Sequence, residues 1–206
     1  RNGAICDLAA YAEGGVVPSN HVSFLDILMI IDMPHATVLV GHPIKDTNII
    51  TRIMFLFIEC ISSVKFWYVT DRRNFVRYLA EWKKNPKGTT LYTTPEMTIN
   101  NGRGLFRFNT AFVCVGRPIV PSSILLSIPF GMAAHPLHSN GAAIFLRLLM
   151  MPWVRCDLAY LAKIEPANGN KEVIAKQVQQ TIASHLGVFA TELTAADKYA
   201  FRKSTR

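Results

Sequence analysis

His21 and Asp26 stand five positions apart in the stretch Ser19-Asn20-His21-Val22-Ser23-Phe24-Leu25-Asp26, which reads as a junction between a loop and a helix. With the histidine ahead of the helix and the aspartate in its first turns, the carboxylate reaches back to one imidazole nitrogen, fixing the tautomer and stabilising the imidazolium. The other nitrogen is left to take a proton. A histidine ordinarily titrates near 6.5, so it suits a general base at neutral pH, a role worth on the order of 10²–10⁴-fold in rate. The same spacing also describes a helix-capping histidine beside a solvated aspartate, and H-x4-D alone fits that reading better.

Two other groups of residues could do chemistry. His135 and His138 form H-x-x-H, but Pro136 intervenes and no third ligand type is close, so the pair reads as loop and not as a metal site. Between Lys65 and Lys87, Arg72, Arg73, Arg77, Lys83 and Lys84 are interleaved with Trp67, Tyr68, Phe75, Tyr78 and Trp82. That pattern suits an anionic membrane, coenzyme A phosphates or RNA, and equally a solvated basic face over a packed aromatic one.

The whole chain bounds these options. Half of its 206 residues are hydrophobic and 17% are charged, with a mean hydropathy of +0.22, which excludes a disordered chain. No repeat or linker divides it, so residues 1–206 are expected to form one domain. The longest apolar stretches are broken by Asp26, Asp32 and Pro34, by Glu59, and by Arg147 and Pro152, so none spans a bilayer. The first residue is Arg1 and not Met, which points to a fragment or processed form whose targeting is unreadable. A net charge of +8 favours anionic partners. Cys6, Cys60, Cys114 and Cys156 lie far apart, as expected of reduced, mostly buried thiols in a reducing compartment.

The elements that must position His21 and Asp26 follow from periodicity. Ala36–Val40 and Val64–Thr70 read as strands around a helix over Thr47–Ile58 that starts in the caps Asp46-Thr47-Asn48. Strand, helix, strand predicts an α/β fold. From Asp71, the residues Phe75, Val76, Leu79 and Trp82 mark one face of an amphipathic helix ended by Asn85-Pro86 and Gly88. Thr89–Thr94, Ile119–Ile128 and Val154–Ile164 read as strands and Ala142–Met151 as a buried helix. Lys171–Leu186 is a surface helix with Ile174, Val178 and Ile182 inward, closed by Gly187.

Several blocks in order carry a family resemblance. PSNHVSFLDIL resembles the first signature of the glycerolipid acyltransferases, the family of acylglycerolphosphate and lysophospholipid acyltransferases. Val69-Thr70-Asp71-Arg72 is similar to that family's strand-end F-I-D-R, and Pro95-Glu96-Met97-Thr98-Ile99-Asn100-Asn101-Gly102 to its P-E-G-T-T-T-N-G. Leu105, Phe106, Phe108 and Thr110-Ala111-Phe112 come next, and Arg117-Pro118-Ile119-Val120-Pro121 is similar to G-x-P-V-x-P. Glu192-Leu193 with Asp197-Lys198 is similar to the end of the lysophosphatidylethanolamine and lysophosphatidylcholine acyltransferase branch.

The resemblance implies a single-domain acyltransferase fold, a mixed sheet flanked by helices. It also implies acyl transfer from acyl-CoA to the free hydroxyl of a lysophospholipid, at the surface of an intracellular membrane such as the endoplasmic reticulum or mitochondrion. Acyl-CoA is then a co-substrate, with no bound cofactor and no metal. On this reading His21 is the base and Asp26 orients it, Arg72, Glu96, Thr98 and Asn101 shape the acceptor phosphate site, and Pro121 belongs to the acyl-CoA site. Ser23 is not a nucleophile, because the thiolate leaves readily without an acyl-enzyme. Arg103 would add charge.

The departures point elsewhere. Met97 replaces a Gly, Thr94 a Phe, Ile99 and Asn100 two hydroxyl residues, Thr70 an apolar residue and His42 a Lys. A long side chain at position 97 is expected to distort or fill the acceptor site. The second reading is therefore a catalytically lapsed acyltransferase-like subunit or assembly factor of a large complex, with protein or RNA partners. An organellar ribonucleoprotein would suit the charge of +8.

Overall fold

Short runs of β-branched and aromatic residues build four parallel strands: β1 (Val16–Pro18), β2 (Ala36–Val40), β3 (Lys65–Tyr68) and β4 (Thr90–Thr93). They lie in the order β1-β4-β2-β3. The computed structural model describes residues 14–205, apart from 32, 34–35, 41–48, 70, 85–88, 114, 134, 137–140 and 166–169. Parallel strands need crossovers, and helix α1 (Ile49–Ile61) carries the chain from β2 to its neighbour β3. Helix α2 (Arg72–Lys84) then carries it back past β2 to β4.

Because the two crossovers run in opposite directions along the sheet, right-handedness puts α1 and α2 on opposite faces. The core agrees. Ile58 of α1 clusters with Val17, Val38, Phe66 and Tyr92, whereas Phe75 and Trp82 of α2 cluster with Val16, Leu39 and Leu91. Neighbours on one strand thus feed opposite faces, as the two-residue period requires.

Beyond β1 the sheet is extended by β6 (Ser122–Ser127). It joins through the parallel bridges Val16↔Ile119 and Ser19↔Ser122, and pairs antiparallel with β7 (Arg155–Tyr160). The fold is therefore α/β with a mixed sheet flanked by helices. Strand β5 (Gly104–Leu105) pairs with β8 (Phe189–Ala190). Further helices are α3 (Thr110–Val113), α4 (Gly141–Leu149), α5 (Lys171–Leu186) and α6 (Ala195–Ser204). Helix α5 buries Ile174, Val178 and Ile182 against Leu105, Phe108 and Leu161. Each such side chain contributes about 1.5–3 kcal/mol of transfer free energy. Gly187 ends α5 in the left-handed conformation, φ 68°.

Several expectations change. Val76 faces solvent, and Tyr78 joins Phe75, Leu79 and Trp82 on the inner side of α2. The aromatic residues of the basic segment are used in packing: Trp67 stacks on Tyr78 and Phe75 on Phe112. This matches a solvated basic face over a packed aromatic one and leaves those rings unavailable as a base-stacking platform. Cys60 is exposed and Cys156 half-buried, so the described thiols are free but not mostly buried. Strands β1, β5 and β8 and helices α3 and α6 have no counterpart among the elements that periodicity predicts. The caps at 46–48, the Asn85-Pro86 stop, Thr70, His42, His138, Cys6 and Cys114 lie outside the described residues. Among the described residues no helix is long and apolar enough to cross a membrane.

Candidate active site

In a parallel sheet the loops after the carboxyl ends of the strands gather along one edge. His21 follows β1 by three residues and Glu96 follows β4 by three, and these strands are paired, so the two loops meet. The Ser19 N–H donates to the Thr93 carbonyl at 2.9 Å, which carries the pairing to the base of both loops.

Asp26 Oδ2 accepts from His21 Nδ1 at 2.9 Å, from the Val22 N–H at 2.7 Å and from the Ser23 N–H at 3.1 Å. Ser23 caps the 3₁₀ helix Phe24–Ile30, its Oγ accepting from the Leu25 N–H, and with Asp26 forms a capping box. Asp26 is therefore buried and tied to the histidine, not solvated, while a quarter of the His21 side chain stays accessible. An ionised Asp26 keeps the proton on Nδ1 and leaves Nε2 as the accepting nitrogen. Ser23 is buried in its cap.

The backbone of the loop is held on both sides. Glu96, 1% exposed, accepts from the His21 N–H and the Phe106 N–H at 2.9 Å each. It also accepts from Asn100 Nδ2 at 2.7 and 2.9 Å. The Asn100 N–H donates back to the His21 carbonyl at 2.6 Å. Burial pushes the Glu96 carboxyl up to about 7 against the pull of these donors. Buried Asn20 clamps the preceding residue to β6, donating to the Ile124 carbonyl at 2.8 Å and accepting from its N–H at 2.7 Å.

The four expected acceptor residues lie in different surroundings. Glu96 is a buried tie whose two oxygens accept from the His21 and Phe106 N–H groups and from Asn100 Nδ2. Thr98 is buried, its Oγ1 accepting from Lys198 Nζ of α6 at 3.1 Å, and that ammonium also donates to the Ile99 carbonyl. Asn101 is exposed, and with Arg103 it lines a cavity of about 340 Å³ that reaches Asn20 and Val22, with Ile124, Leu126, Ile128 and Met132 on its apolar wall. Arg72 opens α2 after β3, two strands from β4, so it lies about 10 Å sideways from the Glu96 loop by strand spacing alone. Pro121 is buried, its carbonyl accepting from the Leu161 N–H at 2.8 Å, so it braces β6.

Met97 does what its sequence position suggests and not what its size suggests. Its backbone is left-handed, φ 57°, and its side chain packs with the Phe75 and Trp82 cluster on the α2 face. Left-handed backbone costs an ordinary residue about 1–2 kcal/mol. Met97→Gly should therefore be more stable than Met97→Ala by about 1 kcal/mol in urea unfolding, since alanine loses the packing and keeps the strain. Alanine as the more stable of the two would show that the strain is not real. Asn100, which looks like motif erosion in the sequence, is instead the bracket between Glu96 and His21. Its signal was the four-residue spacing from Glu96 and the Asn-Gly turn, where Gly102 adopts φ 77° and its N–H donates to Asn100 Oδ1 at 2.7 Å. Lys198 reaches Thr98 across 100 positions, and nothing local in the sequence signals that contact.

Fold and site together define an α/β protein with an oriented His–Asp pair at the carboxyl edge of a parallel sheet. No known family's sequence profile matches the chain. It is similar to a zebrafish (Danio rerio) protein described as "Lipid droplet-regulating VLDL assembly factor AUP1", 28% identical over 140 residues, which is 67% of this chain and 33% of that protein. The chain thus spans a third of the length of that lipid-related relative.

Proposed function

We propose that this chain is a glycerolipid acyltransferase of the lysophospholipid type, working on a lipid surface with acyl-CoA as donor. The observation that carries the reading is the 2.9 Å bond from His21 Nδ1 to a buried Asp26 with the imidazole accessible. In the reaction His21 Nε2 takes the proton of the lysophospholipid hydroxyl as its oxygen attacks the thioester carbonyl carbon. The carbon–sulfur bond then breaks, and the departing thiolate of coenzyme A recovers the proton from the imidazolium. The sequence blocks around both residues support the same chemistry.

A lipid surface is supported by exposed apolar residues. Ile53, Leu56, Phe57 and Ile61 form a stripe along the outer side of α1, each more than half exposed. Leu146 and Leu149 of α4, with Met150 and Trp153 beyond it, are also exposed. The 3₁₀ helix after His21 links these regions, since Ile30 shares a cluster with Ile58 of α1 and Phe24 and Leu25 share one with Ile144 of α4. The relative's name, which refers to lipid droplets, supports a lipid partner, and a net charge of +8 suits anionic head groups. Phe57→Glu should weaken binding to phosphatidylserine-containing vesicles about tenfold in co-sedimentation, and unchanged binding would remove α1 from the contact.

The direct test is transfer of a labelled acyl group from acyl-CoA to a lysophospholipid by the purified protein. No transfer across acyl donors and head groups would leave the second reading, a non-catalytic assembly factor. One observation favours that alternative: the relative is named for regulation and assembly and not for a reaction.

A further inference from the structure

The bonds described so far use one oxygen of the Asp26 carboxylate. Oδ2 takes the donors His21 Nδ1, the Val22 N–H and the Ser23 N–H. Oδ1 is buried and has no hydrogen-bond partner among the described residues, and the same holds for the hydroxyls of Tyr92 and Ser19. All three residues are at most 2% exposed. Buried polar atoms without a partner are rare in folded proteins, and a carboxylate oxygen is the costliest kind to leave so.

The fold brings the three groups to one place. Tyr92 of β4 pairs in register with Val17 of β1, and both belong to the core on the α1 face. Ser19 lies two residues beyond Val17 and is bridged to Ser122 in the same strand direction, so its side chain faces the same way. The 3₁₀ helix Phe24–Ile30 is laid over this face: its two buried residues are Asp26 and Ile30, and Ile30 packs in the cluster of Val17 and Tyr92. Asp26 precedes Ile30 by about one turn and is tied to the Val22 N–H, three residues from Ser19. Its free oxygen therefore meets the two hydroxyls beneath the His21 loop. The electrostatics agree: burial raises the Tyr92 hydroxyl, the Asp26 carboxylate raises it further, and the Ser19 hydroxyl acts the other way.

We propose that Asp26 Oδ1, the Tyr92 hydroxyl and the Ser19 hydroxyl together bind one internal water molecule, which makes Tyr92 and Ser19 positioning residues for the His21–Asp26 pair. Three polar partners are the usual complement of a buried water. The water donates to Asp26 Oδ1 and to Ser19 Oγ and accepts from the Tyr92 hydroxyl, so each orphaned atom is used. The carboxylate is then held at both oxygens, which stops it turning away from Nδ1 and favours its ionised form. Only the consequence for catalysis rests on the acyl-transfer reading.

Tyr92→Phe and Ser19→Ala each delete one partner of the water. NMR titration of the His21 imidazole, its signal identified by its loss in His21→Ala, reads the effect without any substrate. With Asp26 ionised and His21 neutral the pair is a buried anion, so taking a donor from the carboxylate favours proton uptake. Each variant should therefore raise the His21 titration midpoint, Tyr92→Phe by about half a unit or more. Glu96, which holds the His21 N–H, is pushed by burial to about 7 and titrates nearby, so the comparison is repeated in the Glu96→Gln background. The other titratable neighbours are Tyr160 and Cys156 of β7 and His135; burial pushes Cys156 up to about 11 and His135 down to about 4.

Thermal unfolding gives a second readout with a defined sign. Removing a bonded hydroxyl in Tyr92→Phe should lower Tm, whereas removing an unpaired buried one would raise it. Ser19→Ala, the smaller change, carries the titration test by itself. A Tm of Tyr92→Phe at or above wild type, or a His21 titration that moves in neither variant, would overturn the proposal. The titration needs no turnover, so the two proposals fail separately. A shifted His21 in a protein without transfer sinks only the acyltransferase reading, and transfer with an unmoved His21 sinks only this one.

Discussion

His21→Ala should lower acyl transfer by on the order of 10²–10⁴-fold, the contribution of a positioned general base, while the protein stays folded. The loop does not depend on the imidazole for its shape. The His21 N–H goes to Glu96, its carbonyl accepts from Asn100, and Asn20 and Ser23 are fixed by their own bonds. Alanine keeps every one of these ties and removes only the bond to Asp26. The check is kcat/KM with acyl-CoA and a lysophospholipid, alongside circular dichroism. Activity near wild type would sink the assignment of the base. Asp26→Asn should cost less in rate, since His21 keeps its accepting nitrogen and loses only the orienting charge. It should also alter the pH–rate profile, and an unaltered profile would count against the pairing.

Glu96→Ala should be the most damaging change to the loop. It leaves the His21 N–H, the Phe106 N–H and the Asn100 amide without their acceptor in a buried setting, and each orphaned group costs about 1–3 kcal/mol. A loss of about 3 kcal/mol or more is expected from urea unfolding, with transfer falling as well because His21 is no longer held. A loss under 1 kcal/mol would mean that solvent takes over these donors.

The same residue gives a pH dependence of defined sign. Its carboxyl is raised from 4.5 to about 7 in the folded protein, so between those values the native state holds a proton that the unfolded chain has released. Stability from this group is therefore full below about 4.5, falls as pH rises towards 7 and is level above it. Glu96→Gln removes the titration, so the stability difference between wild type and Glu96→Gln should move against wild type from pH 5 to pH 7. A difference that does not change with pH would show that Glu96 stays ionised in the fold.

Short-range features are legible in the amino-acid sequence alone. Strand β2 and helix α5 fall where their β-branched run and three-to-four-residue apolar stripe put them, because each pattern reports a period that only one backbone geometry satisfies. The His21–Asp26 bond is equally local, five residues apart and enforced by the cap at Ser23. The remaining features exist only once the chain is packed. Whether Asp26 is solvated or buried depends on the sheet beneath it, and Met97 could be placed on the α2 face only once the cluster around Phe75 existed. The ties that fix the base join residues distant in the chain: His21 to Glu96 across 75 positions, Asn20 to Ile124 across 104 and Lys198 to Thr98 across 100. No periodicity encodes such pairs, because a hydrogen bond between two loops depends on the sheet order that brings them to one edge, and that order is a property of the packed chain.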